Sequence, residues 1–212
     1  MITDVVGILI ERREWFFGLL LQHIMLAGTA ILLAGSIGLV IGILINRYRK
    51  YAQLVLSLIN MLYTIPDIAM FGFLIPITGI GEKTAIIALT VYALLPMIRN
   101  TFTGLDQVDA DILEAAVGMG STRWQVLLRI QLPMAFSMIL AGVRNMVVMV
   151  ISIAGIASFI GAGGLGSAIY RGIATNNSVL MIAGSIMIAL MAIIMDIVCG
   201  VLENQVKKRW RV

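Results

Sequence analysis

Long apolar stretches, separated by short polar segments, dominate the pattern of this chain. A helix that crosses the hydrocarbon core of a membrane needs about 20 predominantly apolar residues. Five stretches approach or reach that length and are predicted as spanning helices: 24–45, 54–77, 84–98, 134–158 and 179–202. The pattern therefore predicts an all-α polytopic membrane protein with a single transmembrane domain over residues 1–212.

Two of the predicted spans have irregular features. Residues 15–22 are apolar and aromatic, but joined to the first span they would exceed one crossing, so they are predicted to lie at the membrane interface. Pro66 divides the second span and should loosen its helix. The first span also carries small residues at four-residue spacing, which let another helix approach closely: Ala30, Ala34, Gly38 and Gly42.

The composition supports lipid as the solvent for much of the chain. Hydrophobic residues make up 60% of it and charged residues only 12%, whereas soluble domains carry about 25% charged residues. The single cysteine and single histidine exclude an internal disulfide and a Cys/His metal cluster. No nucleic-acid partner is expected, because the positive charge of a chain this apolar usually reflects cationic ends of spans on the cytoplasmic side.

Lysines and arginines fall into two sets that five spans would put on opposite sides. The larger set is Arg47, Arg49, Lys50, Arg99, Arg123, Arg129, Lys207, Lys208, Arg209 and Arg211. The smaller set is Arg12, Arg13, Lys83 and Arg171. Cytoplasmic segments are enriched in these residues, so the N-terminus is predicted outside, the C-terminus inside, and 99–133 in a cytoplasmic loop.

Local chemistry divides that loop into two short helices. Each begins with capping-box spacing, in the pairs Asp111–Glu114 and Thr122–Gln125. Gly118 and Gly120 suit the turn between the helices, and Pro133 is predicted to end the second. The second helix puts Trp124, Leu127 and Leu128 on one side, as an apolar face that could dock into a groove on a soluble partner.

A longer sequence motif extends through both predicted helices. Glu114-Ala115-Ala116 is followed at fixed spacing by Gly120, Ile130 and Leu132-Pro133. This pattern resembles the EAA motif of ATP-binding-cassette (ABC) importer permeases, and it implies the type I importer permease fold. In that family the loop forms coupling helices that sit in a cleft of the ATPase subunit. By resemblance, Glu114, Gly120 and the helix over 122–131, including Trp124, would transmit nucleotide-driven closure to the spans.

The resemblance also implies partners. Two permease subunits, identical or paralogous, would form the path at their interface, two ATPase subunits would dock on 99–133, and an extracytoplasmic binding protein would deliver solute to 78–83 and 159–178. No Walker-type G-x-x-x-x-G-K-[ST] pattern occurs in the chain. The chain is therefore expected to be a non-catalytic subunit without a cofactor in the bacterial cytoplasmic membrane, with ATP and Mg bound by the partner ATPase.

Three further segments look like the permeases of osmoprotectant importers for glycine betaine, choline or carnitine: Gln22-His23, Thr64-Ile65-Pro66 and 159–166. Where that group has a small polar residue, this chain has Asp67. Methionine and other amino-acid permeases share much of the layout and stay as an alternative. An ion-coupled secondary transporter is the alternative from a different class, although no inverted repeat is visible.

Charged or kinked positions inside spans are candidates for the translocation path: Pro66, Asp67, Arg144 and Asn145. Asp67 could attract a cationic substrate or form a structural pair with Arg144, while Asp196 is expected to be structural or interfacial. Gly161, Gly163 and Gly166 fit G-x-G-x-x-G, but a spanning helix precedes them in place of a strand. A tight external turn, or a broken helix returning towards the pore, is expected there instead.

Overall fold

The computed structural model describes residues 1–210, without the side chains of Val206, Arg209 and Trp210. Ten α-helices follow in order: α1 Ile2–Glu11, α2 Arg13–Arg47, α3 Ala52–Tyr63, α4 Asp67–Thr78, α5 Glu82–Asp106, α6 Ala110–Gly118, α7 Arg123–Val126, α8 Leu132–Ala154, α9 Gly166–Ala174 and α10 Ser178–Trp210. The described residues contain no strand. Of the predicted basic tail, Arg211 and the side chain of Arg209 lie outside the described residues.

Four continuous helices are long and apolar enough to cross a membrane: Arg13–Arg47, Glu82–Asp106, Arg123–Ala154 and Ser178–Gln205. The second predicted span is instead a pair, α3 and α4, bent by 95°. Pro66 causes the break because it has no N–H for the helix and disfavours helical geometry at Ile65. Each half has 12 residues, about 18 Å of helix, which is shorter than the membrane core of about 30 Å.

Helices α2 and α5 run parallel, which requires the chain between them to return across the bundle. Gly38 of α2 lies against Met97, and Gly42 one turn later lies against Thr101. A Cβ atom on Gly42 would stand 2.5 Å from the Cβ of Thr101. The predicted ladder of small residues is thus confirmed as the contact between two close helices.

The bent pair makes the return crossing in two steps. Ile59 of α3 shares a buried cluster with Leu95 and Ile98, in the second half of α5. Phe71 of α4 shares another cluster with Ala85, near the start of α5. With α3 and α4 counted together as one broken span beside α5, the described residues have up to five candidate spans, in agreement with the predicted five.

The remaining long helices alternate in direction. The facing pairs are Gly104–Met138 and Gly142–Asn100 between α5 and α8, and Gly155–Ile188 and Arg144–Asp196 between α8 and α10. The start of α2, the 159–166 segment and α9 therefore gather at one end of the bundle. The end of α2, helices α6 and α7 and the end of α10 gather at the other.

Three predicted boundaries are wrong. Residues 15–22 are not a separate interfacial segment but the continuous start of α2, in which Gln22 and His23 find partners on other segments. Residues 99–106 are not loop but the last two turns of α5. Pro133 does not end a helix, because a π-helical turn over Leu127–Gln131 joins α7 to α8 and accommodates the missing N–H.

Candidate coupling surface and translocation groove

Helix α6 begins and ends as short-range chemistry dictates. Its N-cap is Asp109, whose carboxylate accepts the N–H of Asp111 at 2.9 Å, so the predicted Asp111–Glu114 capping box is wrong. At the other end Gly120 adopts φ +86°, and the N–H of Ser121 donates to the carbonyl of Ala116 at 3.1 Å. This glycine-dependent turn stops α6 and reverses the chain, as predicted.

Helix α7 starts with the predicted capping box. The backbone N–H of Thr122 donates to Oε1 of Gln125 at 2.7 Å, and the N–H of Gln125 donates to Oγ1 of Thr122 at 3.3 Å. From this cap the helix continues without interruption to Ala154. Helix α7 is therefore joined without a loop to the spanning helix α8.

The EAA segment presents one face to the bundle and one to the surroundings. Ala116 is buried, and Ile130, Leu132 and Pro133 are half-buried, with Leu132 against the central core. Glu114, Ala115 and Gly120 are exposed, as are five large apolar side chains of this region: Ile112, Val117, Met119, Trp124 and Leu128. We call this exposed set the coupling surface. Five uncovered large apolar side chains on adjacent helices are typical of a binding surface.

Basic side chains of α2 and the following turn border the coupling surface. The guanidinium carbon of Arg47 lies 5.4 Å from the centre of the Trp124 ring, a cation–π distance. Arg49 pairs with Asp106 at the end of α5, with 2.6 Å between Nη2 and Oδ1. Arg47 and Arg49, two members of the larger predicted basic set, thus lie beside α6 and α7, at the end of the bundle opposite α9.

A polar groove of about 520 Å³ opens between α3, α5, α8 and α10. Its polar lining is Tyr63, Arg99, Asn100, Asn145 and Asp196. Asn145 was predicted as a path residue; Tyr63 and Asn100 were not, although polar residues inside apolar spans are the signal that could have found them. Arg99 was assigned to the loop but lies within α5, where it donates to Oδ1 of Asn60 at 2.8 Å.

Arg144 forms its ion pair with α10. Its Nε and Nη2 donate to the two carboxylate oxygens of Asp196 at 2.6 and 2.7 Å, and Glu203 lies 3.6 Å from Nη1. Glu203 in turn accepts from Lys207 at 2.7 Å. The alternative pair of Asp67 with Arg144 is therefore wrong, and the bidentate contact joins α8 to α10 instead.

Pro66 and Asp67 lie at the break between α3 and α4. Asp67 is half-buried in the first turn of α4, where a carboxylate is stabilised by the positive end of the helix dipole. Tyr92 of α5 ties down the break by donating from its hydroxyl to the carbonyl of Ile65 at 2.5 Å. Tyr63, directly before the break, connects this region to the polar groove.

At the other end of the bundle, Gln22 and His23 clamp the glycine-rich segment. His23 is fully buried, with Nε2 3.0 Å from the carbonyl of Ile151 and Nδ1 3.3 Å from the N–H of Leu165. Because a carbonyl only accepts and an amide N–H only donates, the ring proton lies on Nε2. Gln22 Oε1 accepts the N–H of Gly164 at 3.2 Å.

The glycine-rich segment itself is the tight turn that was predicted. Gly161, Gly163 and Gly164 adopt φ values of +74°, +83° and +79°, which side chains rarely tolerate. Two of the three stretches that suggested the osmoprotectant group, Gln22-His23 and 159–166, are thus in direct contact. Their spacing in the sequence does not reveal this contact.

The sequence is similar to those of a known protein family and of curated proteins. Residues 34–208 match the family described as "Binding-protein-dependent transport system inner membrane component". The glycine betaine/carnitine/choline transport system permease protein OpuCD of Bacillus subtilis is 44% identical over 86% of this chain and 80% of its own length. The carnitine transport permease protein OpuCD of Listeria monocytogenes is 41% identical, over 89% of this chain and 86% of that protein. The osmoprotectant import permease protein OsmW of Salmonella typhimurium is 40% identical, over 91% and 92%.

Among solved structures, a chain of the inward-facing MetNI methionine ABC transporter covers 92% of this chain and 98% of its own length, with a TM-score of 0.84 and 21% identity. At this identity the likeness shows the fold alone, which is the type I importer permease fold. These matches favour the importer interpretation over the ion-coupled alternative. The chain belongs to the family of binding-protein-dependent transport system inner membrane components.

Proposed function

We propose that this chain is the membrane-spanning subunit of an ATP-driven importer of quaternary-amine osmoprotectants such as glycine betaine, carnitine or choline. The observation that carries the solute class is the set of relatives about 40% identical over most of their length, whose names specify these solutes. Tyr63, Asn100 and Asn145 give the groove polar groups that lipid tails cannot satisfy. A cationic or zwitterionic quaternary amine could keep polar contacts as it crosses along this groove.

The coupling surface is the proposed docking site for a dimer of ATPase subunits. Its exposed apolar side chains, grouped around Glu114 and Gly120, have the character of a helix face that fits a groove in a partner. Trp124 is the expected anchor, since tryptophan is enriched among the residues that dominate binding energy. ATP and Mg would be bound by that partner.

A second permease subunit, identical or paralogous, would close the groove. Arg99, Asn100 and Asn145 line a groove that is open on one side within the spanning helices. Polar groups at that depth are costly against lipid and favour a water-filled or protein-covered surface. The translocation path would then run between two such grooves.

The proposed orientation has the N-terminus outside and the C-terminus inside. The end of the bundle that contains α6 and α7, the coupling end, carries Arg47, Arg49, Lys50, Arg123 and Arg129. Cytoplasmic ends of membrane proteins are enriched in such residues. The opposite end, with the 78–83 turn and residues 159–178, would receive solute from the binding protein.

Transport would proceed by alternating access. Closure of the ATPase dimer draws the coupling surfaces together, and the continuous helix from Arg123 to Ala154 carries the movement inward. Trp124 and Asn145 lie on this helix, separated by about 32 Å along its axis. A tilt of this continuous helix would therefore change the groove from an inward to an outward opening.

Uptake by proteoliposomes that contain the permease, its ATPase and its binding protein tests the proposal. ATP-dependent, saturable uptake of glycine betaine, carnitine or choline is expected, with methionine as the competing solute. Uptake of methionine alone would keep the importer and reject the solute class. Accumulation driven by an ion gradient without ATP would reject the importer.

Asp67→Asn tests the path assignment separately. The substitution keeps the size and removes the charge, so uptake of a cationic or zwitterionic amine should fall several-fold while assembly with the ATPase is unchanged. Uptake rates and copurification with the ATPase are measured on the same preparation. Unchanged uptake would make Asp67 a structural residue at the start of α4.

A further inference from the structure

One aromatic ring stands inside the polar groove. Tyr63 is the last residue of α3, directly before the break, and it lines the groove together with Asn100, Asn145 and Met149. It keeps 44% of its surface exposed although it lies within a spanning segment. The groove thus has an aromatic wall next to amide groups.

The ring is held by a second tyrosine. Tyr92 packs against it edge to face, with 6.1 Å between ring centres and 70° between ring planes. Tyr92 is itself only 2% exposed, and its hydroxyl donates to the carbonyl of Ile65 at the break. Tyr63 is therefore an exposed ring on a buried support.

The Tyr63 hydroxyl is not what fixes the side chain. Among the described residues its recorded contact is the sulfur of Met149 at 3.6 Å, and a thioether is a weak acceptor. The support comes from the ring packing on Tyr92. The groove is consequently lined by an aromatic ring that does not need its hydroxyl to hold its position.

That surface fits the chemistry of a quaternary ammonium group. A methylated nitrogen cannot donate a hydrogen bond, but its positive charge is attracted to the electron-rich face of an aromatic ring. Asp67 lies beyond the break, in the first turn of α4, and is not among the residues that line the groove, so the Tyr63 ring carries this interaction. A single ring binds weakly, which suits a path that must also release its cargo.

We propose that Tyr63, supported by Tyr92, forms a transient ammonium subsite in the membrane groove. The inference rests on the proposed function, because it assumes a quaternary-amine substrate. Arg99 in the same groove suits the carboxylate of glycine betaine or carnitine. Choline has no carboxylate, so choline reports on the ammonium subsite alone.

The test measures binding to the purified permease–ATPase complex without the binding protein. Saturation-transfer NMR reports choline and 3,3-dimethylbutan-1-ol, which has the same shape without the charge. Tyr63→Leu should weaken choline binding about 3- to 30-fold and change the neutral analogue by less than about twofold. Tyr63→Phe keeps the ring and should bind choline as the wild type does.

Two further variants serve as controls. Phe73→Leu removes an exposed aromatic ring of α4 that does not line the groove, and choline binding should not change. Tyr92→Phe removes only the bond to the Ile65 carbonyl and should give a smaller loss than Tyr63→Leu. Copurification with the ATPase checks that each variant assembles.

The outcomes separate this inference from the proposed function. If wild-type proteoliposomes import quaternary amines but Tyr63→Leu binds choline normally, the subsite is wrong and the function stands. Equal losses for choline and its neutral analogue would also overturn it, because the ring would then act by apolar packing. If the wild-type complex neither imports nor binds quaternary amines, both proposals fail.

Discussion

The two ends of the bundle satisfy their side chains in opposite ways. At the α9 end, His23 is fully buried and both ring nitrogens have partners within the chain. At the coupling end, Met119 in the turn after α6 is 81% exposed and Trp124 in α7 is 60% exposed, although both helices have capped N-termini. The His23 site is completed by partners within this chain. The coupling end has well-formed helices whose outward face leaves large apolar side chains exposed.

The largest loss of stability should follow from His23→Leu. The substitution leaves the Ile151 carbonyl and the Leu165 N–H without partners in a buried site, at a cost of about 1–3 kcal/mol each. Unfolding in detergent, followed by circular dichroism, should show this as a lower midpoint. Gln22→Ala removes one bond from an exposed side chain and should cost less than about 1.5 kcal/mol. Wild-type stability of His23→Leu would mean that the clamp contributes nothing.

A pair of glycines compares the two ends at nearly equal backbone geometry. Gly164 has φ +79° and Gly120 has φ +86°, so alanine costs about 1–2 kcal/mol at either position through the left-handed backbone. At Gly164 the new Cβ would also lie 3.1 Å from Nδ1 of His23, whereas at Gly120 nothing lies within 4 Å. Overpacking should therefore add about 1–3 kcal/mol at Gly164 alone.

The same unfolding measurement ranks the two variants. Gly164→Ala should be the less stable, and Gly120→Ala should remain folded enough to test transport. A bulkier residue at Gly120 should uncouple ATP hydrolysis from uptake, because the turn sets the angle between α6 and α7. Equal stability losses at both positions would contradict the contrast between a packed end and an open one.

Features that depend on neighbouring residues could be predicted from the sequence. The small-residue ladder of α2, the turn at Gly120 and the Thr122–Gln125 capping box each need only a few positions of known spacing. The EAA spacing located the surface on which the coupling proposal depends. In each case the pattern lies within one continuous stretch of the chain.

Features that depend on distant partners could not be predicted. Arg144 binds Asp196, which is 52 residues away, and nothing in the sequence favours it over Asp67. His23 and Leu165 are 142 residues apart, so the clamp is visible only once the helices are packed. Pro133 suggested a helix end because proline lacks a backbone N–H, and no sequence pattern indicated the π-helical turn that precedes it.

The smallest effect on stability is expected for Trp124→Ala. With 60% of its surface exposed, its removal should change the free energy of unfolding by about 0.5 kcal/mol or less. Association with the ATPase should nevertheless weaken by about 2 kcal/mol, roughly 30-fold, if Trp124 anchors the interface. Phe17→Ala, at the α9 end, is the matched control because Phe17 is 61% exposed, and it should leave ATPase binding unchanged. A Trp124→Ala chain as unstable as His23→Leu would mean that the coupling surface is part of the chain's own core. A stable one that binds the ATPase normally would move the anchor to another exposed residue of the surface.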